Sequence, residues 1–487
     1  MFKHVYFLPF LSLAACVAVG PRYEEPDFAA AQNSFVYADR PVYVASEEES
    51  DEPIAWWEAF SDPHIAEVVE LARERNLDLR QAVARLEAAQ ARAGAARAAL
   101  LPQGATSFSI TRQEQAQAAF AGFAAGGPQD PNAPPPPPVE NPEFTLYQAQ
   151  QQVSWEVDLF GRLRRQTQAA SARAKAEEQG VADAHRLITG QAVDTYILLV
   201  EAMNRRRVAM SNLELQERNL ALVEDLYELG EVPKLDLLRT QTEVKNTAAQ
   251  VLVVENAAAD ATASLALLLG MTVPEFVMRF SDIVAQDAKP SMPEAQGVIA
   301  LREPADVLRR RPDVAAAERR LAAEVYDVGV ETAGLFPQIT LDGTASLIAL
   351  DFDGLSDPNA FGYTAGPRIS WQILNYPRLL QQRAAAKAEV AGALAAYEQT
   401  VLQALTETDR ALALHTGAVE QAVLLTEAQV TAEEAQRLAA LRYREGADSL
   451  LSLIDAQRVA LQSEDAAVQA QAAALRTRAA IHRVLAD

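Results

Sequence analysis

The sequence predicts a mainly α-helical fold with a small antiparallel β part, built from a duplicated helix–strand–strand–long helix–helix unit. An internal repeat, pairs of alternating apolar and polar segments, and two very long proline-free segments predict it. Residues 153–241 align without a gap on residues 369–457, at a constant offset of 216. Copies of this length exceed the period of solenoid repeats, so the repeat indicates a duplicated structural unit. The matched pairs include Ser154-Trp155 with Ser370-Trp371, and Tyr227-x-x-Gly230 with Tyr443-x-x-Gly446.

The N-terminal residues 1–15 predict an export signal. A basic start at Lys3 is followed by an apolar run far shorter than the roughly 20 residues that a membrane-spanning helix needs. The run ends in Leu13-Ala14-Ala15-Cys16, which contains the only cysteine of the chain. This string resembles a bacterial lipobox, so we expect lipid attachment at Cys16; an ordinary export signal that happens to end in cysteine is the alternative. Residues 16–61 are expected to form an extended segment rich in proline and glutamate.

The repeat divides the rest of the chain into predicted segments. The first copy is expected at 62–271 and the second at 312–487. Between them, the proline-rich residues 272–311 are expected to form a small belt of irregular structure. Each copy opens with a predicted helix, and Asp62 and Pro63 suit the N-cap and the first turn of the first one.

Alternation of apolar and polar residues predicts the β part. In the first copy, the loop at 113–143 is rich in glycine and proline, and we expect it to be mobile and to lie outside the cell. A change of parity between Leu146 and Val153 predicts a bulge in the second strand. The strands are expected at about 104–112, 144–158, 338–348 and 362–374.

Strands of this length occur both in soluble sheets and in transmembrane barrels, and the export signal favours the membrane. Four strands cannot close a barrel, and an open sheet edge cannot be left in lipid. If these strands span a membrane, several chains must share one barrel.

Two proline-free segments predict the longest helices. The segment from Gly161 to Leu229 corresponds to roughly 100 Å of helix at 1.5 Å per residue. Apolar residues spaced by seven in both copies indicate packing along a coiled-coil seam. Gly230 and Gly446 mark the ends of the long helices, after which shorter helices return to form antiparallel hairpins. For the helices alone, an exported coiled-coil stalk is an open alternative.

The composition gives little support to an enzyme. The five histidines are scattered, and we find no metal-ligand cluster, phosphate-binding loop or nucleophile arrangement in the sequence. We therefore expect no catalytic residues, no metal and no cofactor. The net charge of −23 argues against nucleic acid as a partner, because phosphate binding needs the opposite sign.

Several short strings occur along essentially the whole chain, and their joint occurrence is specific. They are Leu13-Ala14-Ala15-Cys16, Trp57-x-x-Phe60-x-Asp62-Pro63, Trp155-Glu156-Val157-Asp158-Leu159-Phe160-Gly161-Arg162, Leu265-Ala266-Leu267-Leu268-Leu269-Gly270, Arg310-Arg311-Pro312-Asp313-Val314, Phe336-Pro337-Gln338-Ile339 and Leu451-x-x-x-Asp455-Ala456-Gln457. With these strings the chain resembles the TolC-like outer membrane factors, in the lipoprotein branch that serves RND-type efflux systems (NodT/OprM-like outer membrane efflux proteins).

The resemblance implies a homotrimer that forms a 12-stranded outer-membrane β-barrel and a long periplasmic α-helical barrel. Such a duct in the Gram-negative outer membrane passes small molecules such as drugs from an inner-membrane pump and a periplasmic adaptor to the exterior. Lipid of the outer membrane would be a further partner. Where the family's second copy usually has Gly-Gly-Arg, this chain has Tyr376-Pro377-Arg378, so we expect a different strand-to-helix turn there.

The resemblance also implies that the tunnel closes just beyond the hairpin turns. Arg239 takes in the first copy the place of Asp455 in the second. We hypothesise that such opposite charges on adjacent hairpins hold the closed state; solvated helix faces are the alternative. The gate residues are Tyr443, Leu451, Asp455, Arg458, Arg239 and Asp236. The residues expected at the hairpin turns and adaptor contact are Tyr227, Gly230, Gly446 and Asp448.

Two other functions stay open at this stage. The same fold also forms outer-membrane ducts for type I protein secretion, and a non-channel exported coiled-coil protein would share the helices. The lipobox and the Arg310-Arg311-Pro312-Asp313 string favour the efflux duct over the secretion duct, by resemblance only.

Overall fold

A computed structural model describes residues 18–26, 34–45, 55–114, 143–285, 288–295 and 297–486. The predicted signal at 1–15, Cys16 and nearly all of the loop at 113–143 lie outside the described residues. The fold is mainly helical with a small antiparallel sheet, which confirms the predicted class.

The described helices and strands follow one another in the order helix, strand pair, long helix, helix in both copies. The helices are α1 (Pro63–Arg75), α2 (Leu77–Ala98), α3 (Arg162–Glu228), α4 (Lys234–Leu268), α5 (Val273–Arg279), α6 (Ser281–Val284), α7 (Pro304–Arg310), α8 (Pro312–Ala333), α9 (Tyr376–Arg444) and α10 (Leu450–Leu485). The strands are β1 (Tyr43–Ala45), β2 (Gln103–Glu114), β3 (Glu143–Val157), β4 (Ile299–Leu301), β5 (Gln338–Ala349) and β6 (Phe361–Ser370).

The described part of the chain divides into two compact units. The first comprises the described residues of Met1–Glu24, Gln90–Arg173 and Leu321–Gly392 and contains the four-stranded sheet. The second comprises Glu25–Ala89, Ala174–Arg320 and Ala393–Asp487 and contains both hairpin turns.

The sheet of the first unit is fully antiparallel, with strand order β2-β3-β5-β6. Pairing runs without a slip from Gln103 opposite Ser154 to Glu114 opposite Glu143. The bulge predicted between Leu146 and Val153 is therefore wrong. Because the hydrogen-bonded register continues through this stretch, Leu146 lies on the opposite face of the sheet from Val153.

Residues directly opposite one another share a face, so the register separates the sheet into an apolar and a polar face. The polar face carries mostly glutamine, serine, threonine and glycine, together with the charged residues Glu156, Asp342 and Arg368. Its apolar exceptions are Ala105, Phe144, Leu146 and Ile348. Much of the apolar face is exposed in the single chain, with Tyr363 at 76%. The apolar residues of this face include Phe108, Ile110, Tyr147, Ala149, Val153, Trp155, Val157, Ile339, Leu341, Ala345, Leu347, Phe361, Tyr363, Ala365, Pro367 and Ile369. The same face also carries Thr106 and Gln151, and toward the loop end of β2 and β3 it carries Arg112, Glu114, Glu143 and Thr145.

The last strand is shorter than its predicted range of 362–374. Strand β6 ends at Ser370, and a short 3-10 helix follows at Ile373–Asn375. The reason is that Ser370 pairs with Gln338, the first residue of β5, and that Pro337 before it has no N–H with which to continue the ladder. The Trp371 indole instead donates to the Leu335 carbonyl, at 3.2 Å.

The core of the second unit lies around α1, α3, α4 and the short helices α5 and α6. Ile65, Tyr196, Leu265 and Phe276 are all buried there. These contacts explain why part of the predicted irregular belt at 272–311 folds into short helices, since their apolar side chains can be buried.

Candidate functional site

Both hairpin turns have the same backbone geometry. Gly230 and Gly446 have φ values of 78° and 66°, in the left-handed region. The amide of Gly230 donates to the Tyr227 carbonyl at 3.0 Å, and the Gly446 amide donates to Tyr443 at the same distance. The next amide in each turn donates to the carbonyl five residues earlier. Each long helix therefore ends in a Schellman motif, which needs glycine for its positive φ.

The start of the returning helix differs between the two copies. In the second copy, the Ser449 hydroxyl caps α10 by accepting from the Ser452 amide at 3.2 Å. Asp448 lies 3.4 Å from Arg442 across the turn, between its Oδ2 and the arginine Nε. In the first copy, Pro233 holds the N-cap position of α4 without a side-chain hydrogen bond. The second turn is thus the more strongly tied of the two.

Most of the gate residues lie at the protein surface within the single chain. Asp455 accepts from Arg458 at 2.7 Å, and Asp236 lies 3.8 Å from Arg239. Both pairs are three residues apart on one helix. Hydrogen bonding to Asp455 raises the pKa of Arg458, and Glu243 on α4 adds a smaller effect.

The structure does not bring the hypothesised charges together inside one chain. Among the described residues, Arg239 and Asp455 form ion pairs with their own helix neighbours, and not with each other. Leu451 is exposed, and Tyr443 is half-buried. The gate hypothesis concerns contacts between different copies of the chain. It therefore stays a prediction.

A buried polar seam lies next to the gate residues, and sequence reasoning missed it. The Asn219 amide of α3 donates to the Gln457 amide oxygen of α10 at 2.8 Å, and both side chains are buried. Gln216, one turn earlier, is also buried, and its Oε1 atom has no hydrogen-bond partner. Polar residues at seam positions of a coiled coil fix register at a cost in stability.

A second missed feature explains one of the family strings. Arg311 is 2% exposed, and its Nη2 donates to Asp313 at 2.6 Å and to Glu407 at 3.1 Å. Its Nη1 donates to the Val484 carbonyl near the end of α10, at 3.4 Å. Burial opposes both charges, but hydrogen bonds and opposite charge outweigh it, so the pKa of Arg311 is raised and that of Asp313 is lowered. The Arg-Pro-Asp string thus ties α8 to α9 and α10.

Other family strings also have local structural roles. Asp62 caps α1 through the His64 amide at 2.9 Å and accepts from the Tyr196 hydroxyl at 2.7 Å. Asp158 accepts from the Leu163 and Arg164 amides at the start of α3, at 3.2 and 2.9 Å.

The turn before the long helix differs between the two copies of this chain, and the expected difference of the second turn from the family's usual one stays a prediction. Gly161 has a φ of 82°, and a Cβ atom there would lie 2.7 Å from Ala18 Cα. In the second copy, α9 already begins at Tyr376, with Pro377 as its second residue. Proline suits the first turn of a helix, where its missing N–H is not needed.

The described residues contain no group of three or more histidine, cysteine, aspartate or glutamate side chains that could hold a metal ion.

Comparison with known proteins supports this description. Residues 68–271 and 304–487 match the family model "Outer membrane efflux protein". The chain is 30% identical over 414 residues to the pyoverdine export outer membrane protein OpmQ of Pseudomonas putida, covering 84% of this chain and 83% of that protein. It is 28% identical over 411 residues to the toluene efflux pump outer membrane protein TtgF of the same species, covering 84% and 80%.

Solved structures of outer-membrane channels have the same fold as this chain. The outer-membrane channel OprN superposes with a TM-score of 0.81 at 33% identity, covering 96% of this chain and 98% of that one. The Campylobacter jejuni CmeC outer membrane channel, at 20% identity, shares the fold with a TM-score of 0.82.

A small antiparallel sheet with two long helical hairpins, together with the family match and the likeness to OprN, places the chain in the class of outer-membrane transport channel subunits. Members of this class are transport channels rather than enzymes. Within the class, the chain belongs to the outer membrane efflux protein family. It functions in efflux at the Gram-negative outer membrane and extends into the periplasm.

Proposed function

We propose that three copies of this chain form one duct that carries small molecules through the outer membrane. The observation that carries the proposal is the sheet of the first unit, whose apolar face is largely exposed and whose edge strands β2 and β6 have no further strand partner among the described residues. In lipid, every backbone polar group needs a partner, so each free edge must pair with another copy. Three copies would supply twelve strands, enough for a closed barrel.

The duct works with an inner-membrane pump and a periplasmic adaptor. Support comes from the family and from relatives whose names include efflux pumps. The named cargoes of the relatives, pyoverdine and toluene, are small molecules of very different polarity. We therefore propose small organic compounds as cargo, with the choice among them made by the pump.

The gate residues form the closed end of the duct, and the hairpin turns at Gly230 and Gly446 contact the adaptor. Support comes from the Schellman motifs, which leave both turns exposed, and from the exposed charges of Arg239 and Asp455. Partly buried pairs between copies would stabilise the closed state by a few kcal/mol at most, and exposed pairs by less.

The chain is anchored by lipid at Cys16 after removal of residues 1–15, and the loop at 113–143 lies outside the cell. Support for the anchor comes from the Leu13-Ala14-Ala15-Cys16 string, and the described residues nearest to it lie beside the sheet. The Val19 amide donates to the Phe160 carbonyl at 3.0 Å, beside the end of β3. Cys16 is three residues from Val19, and each residue spans at most about 3.6 Å, so the lipid would attach close to the sheet.

The membrane contact of the sheet can be tested with two lysine variants on neighbouring residues of β6. Tyr363 lies on the apolar face and Thr364 on the polar face, and both are exposed in the single chain. Tyr363→Lys should lose insertion, because a lysine on the lipid face costs about 2–4 kcal/mol at mid-membrane. Thr364→Lys, the matched control, should insert normally.

The measurements are the amount of protein in outer-membrane fractions and the single-channel conductance in planar bilayers. Equal insertion of the two variants would mean that the apolar face does not meet lipid. A strain lacking the gene should become sensitive to toxic compounds and regain resistance with the wild-type chain and with Thr364→Lys.

A further inference from the structure

The two helical hairpins keep the offset of the sequence repeat in their structure. Helix α3 ends at Glu228 and α9 ends 216 residues later, at Arg444. Helix α4 begins at Lys234 and α10 begins 216 residues later, at Leu450. Equivalent positions in the two hairpins are therefore found by adding or subtracting 216.

Inside the chain, the first hairpin contacts the second through α3 and α10. Asp194 of α3 accepts from Arg476 of α10 at 2.9 and 3.2 Å. Further along, Arg205 donates to Asp465 at 2.8 Å. A third ion pair joins Arg207 to Glu464 at 3.2 Å. We call these three ion pairs the rungs of a ladder between α3 of the first repeat and α10 of the second.

The equivalent faces of α9 and α4 lie open in the single chain. Leu402 of α9 is 66% exposed, and Leu267 of α4 is 74% exposed. Their equivalents, Arg186 and Arg483, meet in the α3–α10 contact, where Arg186 donates to the Arg483 carbonyl. At this end of the contact, the two residues that meet inside the chain thus have exposed counterparts that are large and apolar.

The charges on these open faces are complementary. Position 410, equivalent to Asp194, is arginine, and position 260, equivalent to Arg476, is aspartate. Both signs are reversed, so attraction is kept. Arg410 and Asp260 are exposed, and neither has an ion pair within the described part of the chain.

The remaining rungs also change on both sides at once. Arg205 and Asp465 correspond to Gln421 and Ala249, and neither carries a charge. The third rung, Arg207–Glu464, corresponds to Val423 and Ala248. On a face that met only water, the two charges of a pair could change independently. On a packed face they must change together, because a single charge left without its partner at a contact destabilises it.

We propose that α9 of one copy packs against α4 of the next in the register of the α3–α10 contact, with Arg410 paired to Asp260 of the neighbouring copy. The proposal rests on the trimer of the proposed function and adds to it the contact surface, the register and the residues. Leu402 and Leu267 bury each other at the same surface.

Charge reversal tests the register. Asp260→Arg and Arg410→Asp each place like charges in contact, and each should lower the temperature up to which the detergent-solubilised trimer survives. The double variant restores opposite charges and should return the trimer to wild-type heat resistance. Glu420→Arg on α9 is the control, because its equivalent Asn204 contacts Pro290 and not α10; it should leave heat resistance unchanged.

Crosslinking gives a second readout that does not depend on stability. A chain with Asp260→Cys and Arg410→Cys, treated with a short thiol-reactive crosslinker, should give dimers and trimers on a denaturing gel, while each single variant gives monomer. If the double charge variant loses as much heat resistance as the two single variants add up to, the register is wrong. A stable trimer that gives no crosslinks would also overturn the register. Neither result would contradict the proposed function. A wild-type particle that contains one chain overturns both.

Discussion

At the scale of single residues, Arg311 shows how a buried charge can be tolerated. Its three nitrogen atoms donate to Asp313, Glu407 and the Val484 carbonyl, so that its donors point to acceptors from three helices. Lysine has the same charge but a single nitrogen, and it cannot reproduce this fork.

Arg311→Lys should therefore lower the free energy of unfolding by about 2–4 kcal/mol, because acceptors are left unpaired in a buried site. Chemical or thermal unfolding in detergent measures the change. Arg309→Lys is the matched control, since Arg309 is exposed and pairs only with Asp306 three residues away; it should change stability by about 0.5 kcal/mol or less. Equal effects of the two variants would show that the buried fork is not the cause.

The burial of His415 leads us to predict that the free energy of unfolding falls in acid. His415 is buried, and its Nδ1 lies 3.1 Å from the Thr477 hydroxyl. Burial, helped by the charge of Arg478, lowers the pKa of His415 to about 4, whereas an unfolded histidine has a pKa of about 6.5. Between these values the unfolded chain binds a proton that the folded chain does not, so this contribution to stability is present above pH 6.5 and is lost toward pH 4.

The thermal unfolding midpoint should thus fall between pH 7 and pH 5, and the fall should be smaller in His415→Gln, which cannot titrate. If both proteins lose the same number of degrees, the histidine is not responsible.

At the scale of the elements, the hairpin turns depend on glycine for their backbone conformation. Apart from the two adjacent residues, no atom in the described part of the chain lies within 4 Å of the place that a Cβ of Gly446 would take, so only the positive φ opposes a side chain there. Gly446→Ala should destabilise the chain by about 1 kcal/mol. Gly417→Ala, inside α9 and also without neighbours within 4 Å, should stabilise it by up to about 1 kcal/mol through helix propensity. Unfolding midpoints that shift in the same direction would contradict this account.

The gate hypothesis predicts a change in conductance. Asp455→Lys removes the attraction to Arg458 and to any cation of a neighbouring copy, so the closed end should loosen and single-channel conductance should rise. Glu434→Lys is the matched control, because Glu434 forms the same three-residue pair with Arg437 on α9, ten residues before the helix ends. A conductance that rises equally in both variants, or in neither, would argue against a latch at Asp455.

How far the sequence predicts these elements depends on the kind of signal. Helix ends at Gly230 and Gly446 were predictable, because a positive φ nearly requires glycine. The end of β6 at Ser370 was not, since it depends on where the partner strand begins. The absent bulge near Leu146 has a similar cause: alternation records the preferred face, but the ladder of hydrogen bonds decides the register.

At the scale of the whole molecule, the duplication and the mixture of long helices with short strands were enough to predict the fold class. The contacts of α3 with α10 were not predictable. Asn219 and Gln457 are polar residues that a sequence pattern assigns to the surface, and only the packing of the two helices buries them together. The fork around Arg311 was not predictable from its family string either, because its acceptor Glu407 is distant in sequence.

The outer strands β2 and β6 have a consequence for assembly if three copies share one barrel, as proposed. Before assembly, each copy would expose the unpaired backbone of both strands and the apolar face of its sheet to water, and either strand could pair with the wrong partner. Correct assembly would therefore need single copies to be bound by a chaperone or kept at low concentration, so that pairing with another copy is faster than aggregation.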